Sequence, residues 1–199
     1  MADDRLRHPP CLLGGAGRHR REVGLGLIDL DRLQTAADRS LVTDRAPILV
    51  LGLGNELFTD EGLGIHAARR IEAMGLEGVD VLDGGTLGIA LLPELEGRDA
   101  VLILDAMIMP EEPPGTVVKL QENELDRPVQ MLFSAHQFGI GETIAAARLV
   151  GQAPTRLTAV GMVPFSLETG YGLSPEADGA LVHMIDEALD VLTGWGIHA

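Results

Sequence analysis

The sequence predicts an α/β fold, a three-layer α/β/α sandwich around a mostly parallel, twisted sheet in a single domain. Three observations predict it. Short, continuous apolar runs such as PILVLGLGN read as strands buried on both faces. Segments with helical spacing lie between those runs, and alternating strands and helices close into a doubly wound sheet. The composition supplies one large core that is aliphatic, since 46% of residues are apolar and only 3% aromatic.

Taken in order, the run from Pro47 to Asn55 is the first strand, and it ends in glycines. A helix follows, with Gly64, Ala67, Ile71 and Met74 on one face. GVDVLDGGT (78–86) and DAVLILDAM (99–107) are two further runs of the same buried kind, each ending in an acidic residue. GTVVKL (115–120) and RLTAVGMV (156–163) supply two more strands, with a helix over about 138–150 between them. The last helix spans 175–193, where Leu181, Met184, Ile185, Ala188, Leu189 and Leu192 recur at amphipathic spacing. Ser174 and Pro175 start it as N-cap and first residue, and Gly194 ends it.

Charge divides the chain. Residues 1–46 hold eight Arg and seven Asp or Glu, whereas 47–199 hold seven Lys or Arg and twenty-three Asp or Glu. The first part has no sustained period apart from a short helical stretch around 29–38. It is an arm without an assigned role, either loosely ordered or lying upstream of the true start. The 47–199 domain carries the function. With a formal charge of −15 and no basic stripe, the chain excludes nucleic acid and anionic membrane as partners. One cysteine, Cys11, forms neither an internal disulfide nor a thiolate metal site, and no apolar run reaches the roughly 18 residues a membrane span needs. A cytoplasmic protein is expected.

In such sheets ligands sit beyond the carboxyl ends of the strands. The first strand runs into GLGNELFTDEG, residues 52–62. A dinucleotide site requires a third glycine where Leu57 stands, and no phosphate-binding P-loop occurs anywhere. The loop instead brings two carboxylates, Asp60 and Glu61, to the start of a helix, where capping accounts for one of them. The second strand delivers Asp83-Gly84-Gly85-Thr86, either an ordinary turn or one whose glycines admit a ligand's backbone. Asp105 follows four apolar residues and is either buried, coordinating, or a charge escaping to solvent. Of six histidines, four lie in the arm, at the terminus or on the polar side of the last helix, and His66 reads as a surface residue. His136, at the start of a helix, is a cap or a ligand. Glu61, Asp105 and His136 thus come from three connections at one edge. Two carboxylates and an imidazole suit a borderline divalent metal such as nickel or zinc.

At these residues the sequence resembles the endopeptidases that mature nickel–iron hydrogenases. The matching pieces are ILVLGLGNELFTDEGLG (48–64), VLDGGTLG (81–88), VLILDAM (101–107), FSAHQFGI (133–140) and AVGMVPFSLETGYGLSP (159–175), in family order across 47–199. The resemblance implies an aspartyl-type endopeptidase that removes a short C-terminal peptide from the hydrogenase large-subunit precursor. It implies that Glu61, Asp105 and His136 contact nickel, carried by the precursor, so that only a loaded precursor is cut. Asp83, Gly84, Gly85 and Thr86 match a signature important for cleavage, with Asp83 a candidate catalytic residue and the other three binding substrate. The chain has no G-x-S-x-G or H-E-x-x-H, and its cysteine lies in the arm, so metal-assisted attack by water is the open route. A non-cleaving, nickel-sensing chaperone of the same precursor is the alternative, a self-sufficient metallohydrolase on small substrates is a third reading, and a fourth makes Asp105 and His136 mere caps.

Overall fold

The structure, a computed structural model, describes residues 45–122 and 140–198. Among these residues five strands form one sheet: β1 (Ile48–Leu53), β2 (Val79–Gly85), β3 (Ala100–Ala106), β4 (Val117–Gln121) and β5 (Arg156–Met162). Their order is β2-β1-β3-β5-β4; every pairing is parallel except β4 against β5. Among the described residues four helices accompany them: α1 (Leu63–Glu72), the single turn α2 (Leu92–Leu95), α3 (Ile140–Leu149) and α4 (Pro175–Gly194). Two 3-10 turns, Thr59–Gly62 and Gly88–Leu91, lead into α1 and α2.

The layers follow from the alternation of side chains along each strand. On one face Ile48, Val50, Leu102, Leu104, Val160 and Met162 meet α1 and α4. On the other, Leu49, Leu51, Val101, Ile103, Leu157 and Ala159 meet Leu91, Leu95 and α3. The expected sandwich is therefore the observed one, and β1 and β3 are buried at every residue because both faces are covered. Ser174 caps α4 through its hydroxyl, which accepts from the Ala177 N–H at 3.1 Å, and Pro175 follows at the first helical position.

Several expectations need correction. β2 reads from sequence like β1, but it is the edge strand and mostly half-buried. Met74 lies beyond the end of α1, 45% exposed, since the chain turns away through Gly75 at positive φ. Gly194 is the last helical residue and Trp195 the cap, with the left-handed glycine delayed to Gly196. The arm with its short helical stretch, the start of the 138–150 helix and His136 lie outside the described residues.

Because β1, β2, β3 and β5 run parallel, the segments 54–62, 83–91, 106–116 and 163–174 all leave the sheet at its carboxyl edge. Close packing there requires Gly64. A Cβ on it would stand 2.1 Å from the Leu104 carbonyl oxygen and 2.5 Å from that of Leu53. The helix-on-strand approach that a dinucleotide fold gives to its third glycine falls here to Gly64, seven residues after Leu57. Among the described residues no helix is long and apolar enough to cross a membrane.

Candidate functional site

The first loop is a knot of short-range bonds. The Asn55 side chain accepts from the Leu57 N–H at 3.1 Å, the Glu61 N–H donates to the Phe58 carbonyl at 3.0 Å, and the Asn55 N–H donates to the Glu61 carbonyl at 3.3 Å. Thr59 has φ +43°, which an L-residue adopts only when its surroundings hold it. They do. Its hydroxyl donates to the Ser166 carbonyl at 2.9 Å and its N–H to the Gly170 carbonyl at 3.0 Å.

Of the two acidic residues in that turn, Asp60 has the structural task. It is fully buried. One carboxylate oxygen accepts from the N–H groups of Phe165 (3.0 Å) and Ser166 (2.8 Å) and from the Ser174 hydroxyl (2.9 Å), and the other accepts from the Ser174 N–H (2.7 Å). Three backbone donors and a hydroxyl replace its hydration shell, so a lone carboxylate is tolerated inside without a cation. Asp60 thus ties the first loop to segment 163–174 and to the start of α4. Glu61, the neighbouring residue, is 4% exposed.

Asp105 is wholly buried near the end of β3, opposite Gly161 of β5, and its Oδ1 accepts from the Ala106 N–H at 2.7 Å. The reading in which its charge escapes to solvent is excluded. The turn carrying Glu61 packs against β3, and Gly64, three residues on, rests on the carbonyl of Leu104, the residue before Asp105. Two buried carboxylates therefore come from adjacent elements at one edge. Such groups are acceptor-only when ionised, able to take a proton or to ligate a hard or borderline cation. His136, the third expected member, lies outside the described residues. Among the described residues no three His, Cys, Asp or Glu side chains are grouped to hold a metal ion.

The Asp83-Gly84-Gly85-Thr86 turn lies beside this loop. Asp83 is opposite Gly52 and Gly85 opposite Leu53, so Gly84 is an extra residue in β2, a bulge. Gly84 is buried, and a Cβ there would meet the Leu51 and Leu53 side chains at 2.7 and 2.9 Å; Gly85 has φ +47°. These glycines thus have a packing and a backbone reason of their own, while Thr86 is exposed. Gly85 accepts through its carbonyl from the Gly54 N–H at 3.1 Å, joining the turn to the first loop.

Both Asp83 oxygens are engaged, Oδ1 by the Gly85 N–H at 3.2 Å and Oδ2 by Arg69 at 2.9 Å. Arg69, on α1, also holds Glu56 of the first loop through two bonds of 2.6 and 2.9 Å. Its hydrogen bond holds the Glu56 carboxyl below its ordinary value of 4.5, against the opposing effect of burial; the Arg69 charge and His66 lower it further. Arg69 is itself shifted upward, chiefly by the Glu56 bond. His66, expected as a surface residue, is half-buried, with its Nε2 3.4 Å from Glu56.

Sequence reasoning missed the Asp60 clamp and the Arg69 bridge. The partners of Asp60 lie 105 to 114 residues away, so no local pattern marks them. Arg69 shares the last turn of α1 with Arg70, and no local pattern distinguishes the two.

In sequence and fold the chain is similar to known proteins. Residues 65–191 match the hydrogenase maturation protease family, a stretch that contains Asp83, Asp105 and His136 and begins four residues after Glu61. Hydrogenase 2 maturation protease of Escherichia coli K12 is 36% identical over 76% of this chain and 94% of its own length. The hydrogenase expression/formation protein HupD of Rhodobacter capsulatus is 40% identical over 75% of this chain and 73% of its own. The solved hydrogenase-maturating endopeptidase HybD of E. coli superposes with a TM-score of 0.70 at 35% identity, covering 76% of this chain and 94% of that one.

Proposed function

The chain belongs to the hydrogenase maturation protease family and is a peptidase, and from that premise we propose that it removes a short C-terminal peptide from a hydrogenase large-subunit precursor. One observation carries the proposal furthest: Glu61 and Asp105, two carboxylates withdrawn from water on packed neighbouring elements, at the edge where this sheet can receive a ligand. Nickel is written here as part of the substrate. The donor chemistry fits it, since two carboxylates with the His136 imidazole as third member are donors a borderline divalent ion accepts. Held by these residues, the nickel reports a loaded precursor and polarises the bond to be cut.

The chain's own residues divide the remaining work. Asp60 fixes the loop that carries Glu61. Arg69 holds the Asp83 turn against that loop, and Gly85 and Thr86 line the approach of the substrate backbone. Asp60 is committed to holding segment 163–174 and Asp83 to Arg69 and its own turn; the proton of the attacking water is assigned to Glu61 or Asp105, the carboxylates buried at the edge. Water's hydroxyl adds to the scissile carbonyl carbon, the C–N bond breaks, and the carboxylate returns the proton to the leaving amine. We place the reaction in the cytoplasm, on the single cysteine and the acidic surface.

Intact mass spectrometry of the precursor tests the proposal, with and without nickel. Loss of a C-terminal peptide from loaded precursor alone is expected, and Glu61→Gln, Asp105→Asn and His136→Ala each abolish it while the protein still melts cooperatively. Binding without cleavage would replace the peptidase reading of this substrate with the chaperone one.

A further inference from the structure

Beyond the two carboxylates, the carboxyl edge holds a cavity of about 310 Å³ that the proposed chemistry does not use. Ile108 and Met109, just past β3, form one wall, and Val163, Pro164, Phe165 and Leu167, just past β5, form the other. It is at the small end for ligand sites, about 300–1,000 Å³, suited to a side chain rather than a cofactor. Its walls are fixed from outside. Asp60 accepts from the Phe165 and Ser166 N–H groups, and the Gly115 N–H donates to the Val163 carbonyl at 2.8 Å. The Phe165 ring lies on Gly115, where a Cβ would stand 2.7 Å from its Cζ. Yet Phe165 and Leu167 remain 39% and 42% exposed, and Leu57, Leu87, Ile89 and Tyr171, all on carboxyl-edge segments, are exposed as well. Six large apolar side chains open to water at one edge of a small protein point to a partner.

Charge selects the partner. Segments 54–62, 83–91, 105–116 and 163–174 together hold eight Asp or Glu residues and no Lys or Arg. Glu111 and Glu112 follow one cavity wall after Pro110, and Glu168 follows the other directly, all three exposed. A second copy of this chain would bring the same acidic edge and be repelled, as would nucleic acid. A peptide with cationic residues on either side of an aliphatic one satisfies both features.

Resting on the peptidase reading above, we infer that the Ile108–Phe165–Leu167 cavity is a substrate subsite: it takes one aliphatic side chain of the precursor's tail, whose flanking cations lie against Glu111, Glu112 and Glu168. It is a specificity site, separate from the carboxylates.

Two fluorescein-labelled peptides test it, Lys-Gly-Leu-Gly-Lys and Lys-Gly-Ser-Gly-Lys, titrated into the full chain and into Leu167→Lys at low salt. Burying the Leu side chain predicts roughly tenfold tighter binding than Ser. In Leu167→Lys that preference disappears, with an unchanged melting temperature because the residue is exposed. With loaded precursor the same variant raises KM about tenfold and leaves kcat within about twofold. Equal affinity for the two peptides, or an unchanged KM in Leu167→Lys, overturns the subsite even if the wild type cuts precursor. Retained preference for the Leu peptide with uncut precursor leaves the subsite standing and removes the proposed substrate.

Discussion

Asp60→Asn and Asp60→Ala test whether one carboxylate holds the carboxyl edge together. In Asp60→Ala four donors lose their acceptor: the N–H groups of Phe165, Ser166 and Ser174 and the Ser174 hydroxyl. At about 1 kcal/mol each, with some replaced by water because the loop is only part-buried, the loss is about 3–4 kcal/mol. Asp60→Asn is milder. Its one oxygen can sit where three of the donors converge, leaving the amide NH2 against the Ser174 N–H, a donor facing a donor. That costs about 1.5–3 kcal/mol. Against a typical total of about 5–15 kcal/mol, Ala should leave a marginal fold and Asn a measurable one. Urea unfolding followed by far-UV circular dichroism reads both. Ser174→Ala, which removes one Asp60 bond and the α4 cap, should cost about 1–2 kcal/mol and combine non-additively with Asp60→Asn. A loss below about 1 kcal/mol in Asp60→Ala, or strict additivity with Ser174→Ala, would refute the clamp.

Three further outcomes are expected. Gly64→Ala puts a Cβ 2.1 Å from one backbone carbonyl and 2.5 Å from another, neither of which can rotate away, so destabilisation should exceed about 3 kcal/mol; a urea midpoint near wild type would show that α1 sits farther from the sheet. Glu56 has a folded-state carboxyl below its usual 4.5, so the unfolded chain binds more protons as pH falls through that value. The stabilisation is present above about pH 4.5 and is lost below it; given the exposure of Arg69 it amounts to under about 1 kcal/mol. Arg69→Met should remove this part of the pH dependence, and identical wild-type and variant profiles would discount the pair. Arg69→Lys keeps the charge but cannot span Glu56 in a two-point contact and Asp83 as well; on precursor it should lower kcat with little change in thermal stability, and full kcat would free the Asp83 turn from any role in positioning.

What the sequence made legible was whatever depends on neighbours. β1 and β3 are continuous apolar runs because both faces are covered, and their strands fall where expected. α4 declares itself through spacing, with Ser174 and Pro175 at its start. β2 reads as a buried strand only if Asp80 is passed over; that charge, 38% exposed, interrupts the apolar run and is the local sign of an edge strand. The site divides in the same way. Asp105 is visible in the sequence as a charge at a strand end, and its burial, opposite Gly161 of β5, removes only the reading in which that charge escapes to solvent. Asp60 and Glu61 are adjacent and equally acidic in the sequence. Only segment 163–174, more than 100 residues later, tells them apart by supplying donors to Asp60.

The same bonds imply that the edge behaves as one unit. The first loop is joined to the Asp83 turn by the Gly54–Gly85 hydrogen bond and the Glu56–Arg69–Asp83 bridge, and to the cavity walls by Asp60. Glu61 lies within that loop, so its position depends on both attachments. A tail that fills the cavity meets walls that these bonds already hold, so Glu61 is seated before the tail binds. Truncating the aliphatic residue of a substrate should therefore raise KM and leave kcat within about twofold, because the contact it loses is the same in ground state and transition state. Leu167→Lys, which alters a wall without touching the Asp60 bonds, should do the same. A fall in kcat with either perturbation would show that filling the cavity moves Glu61 through segment 163–174.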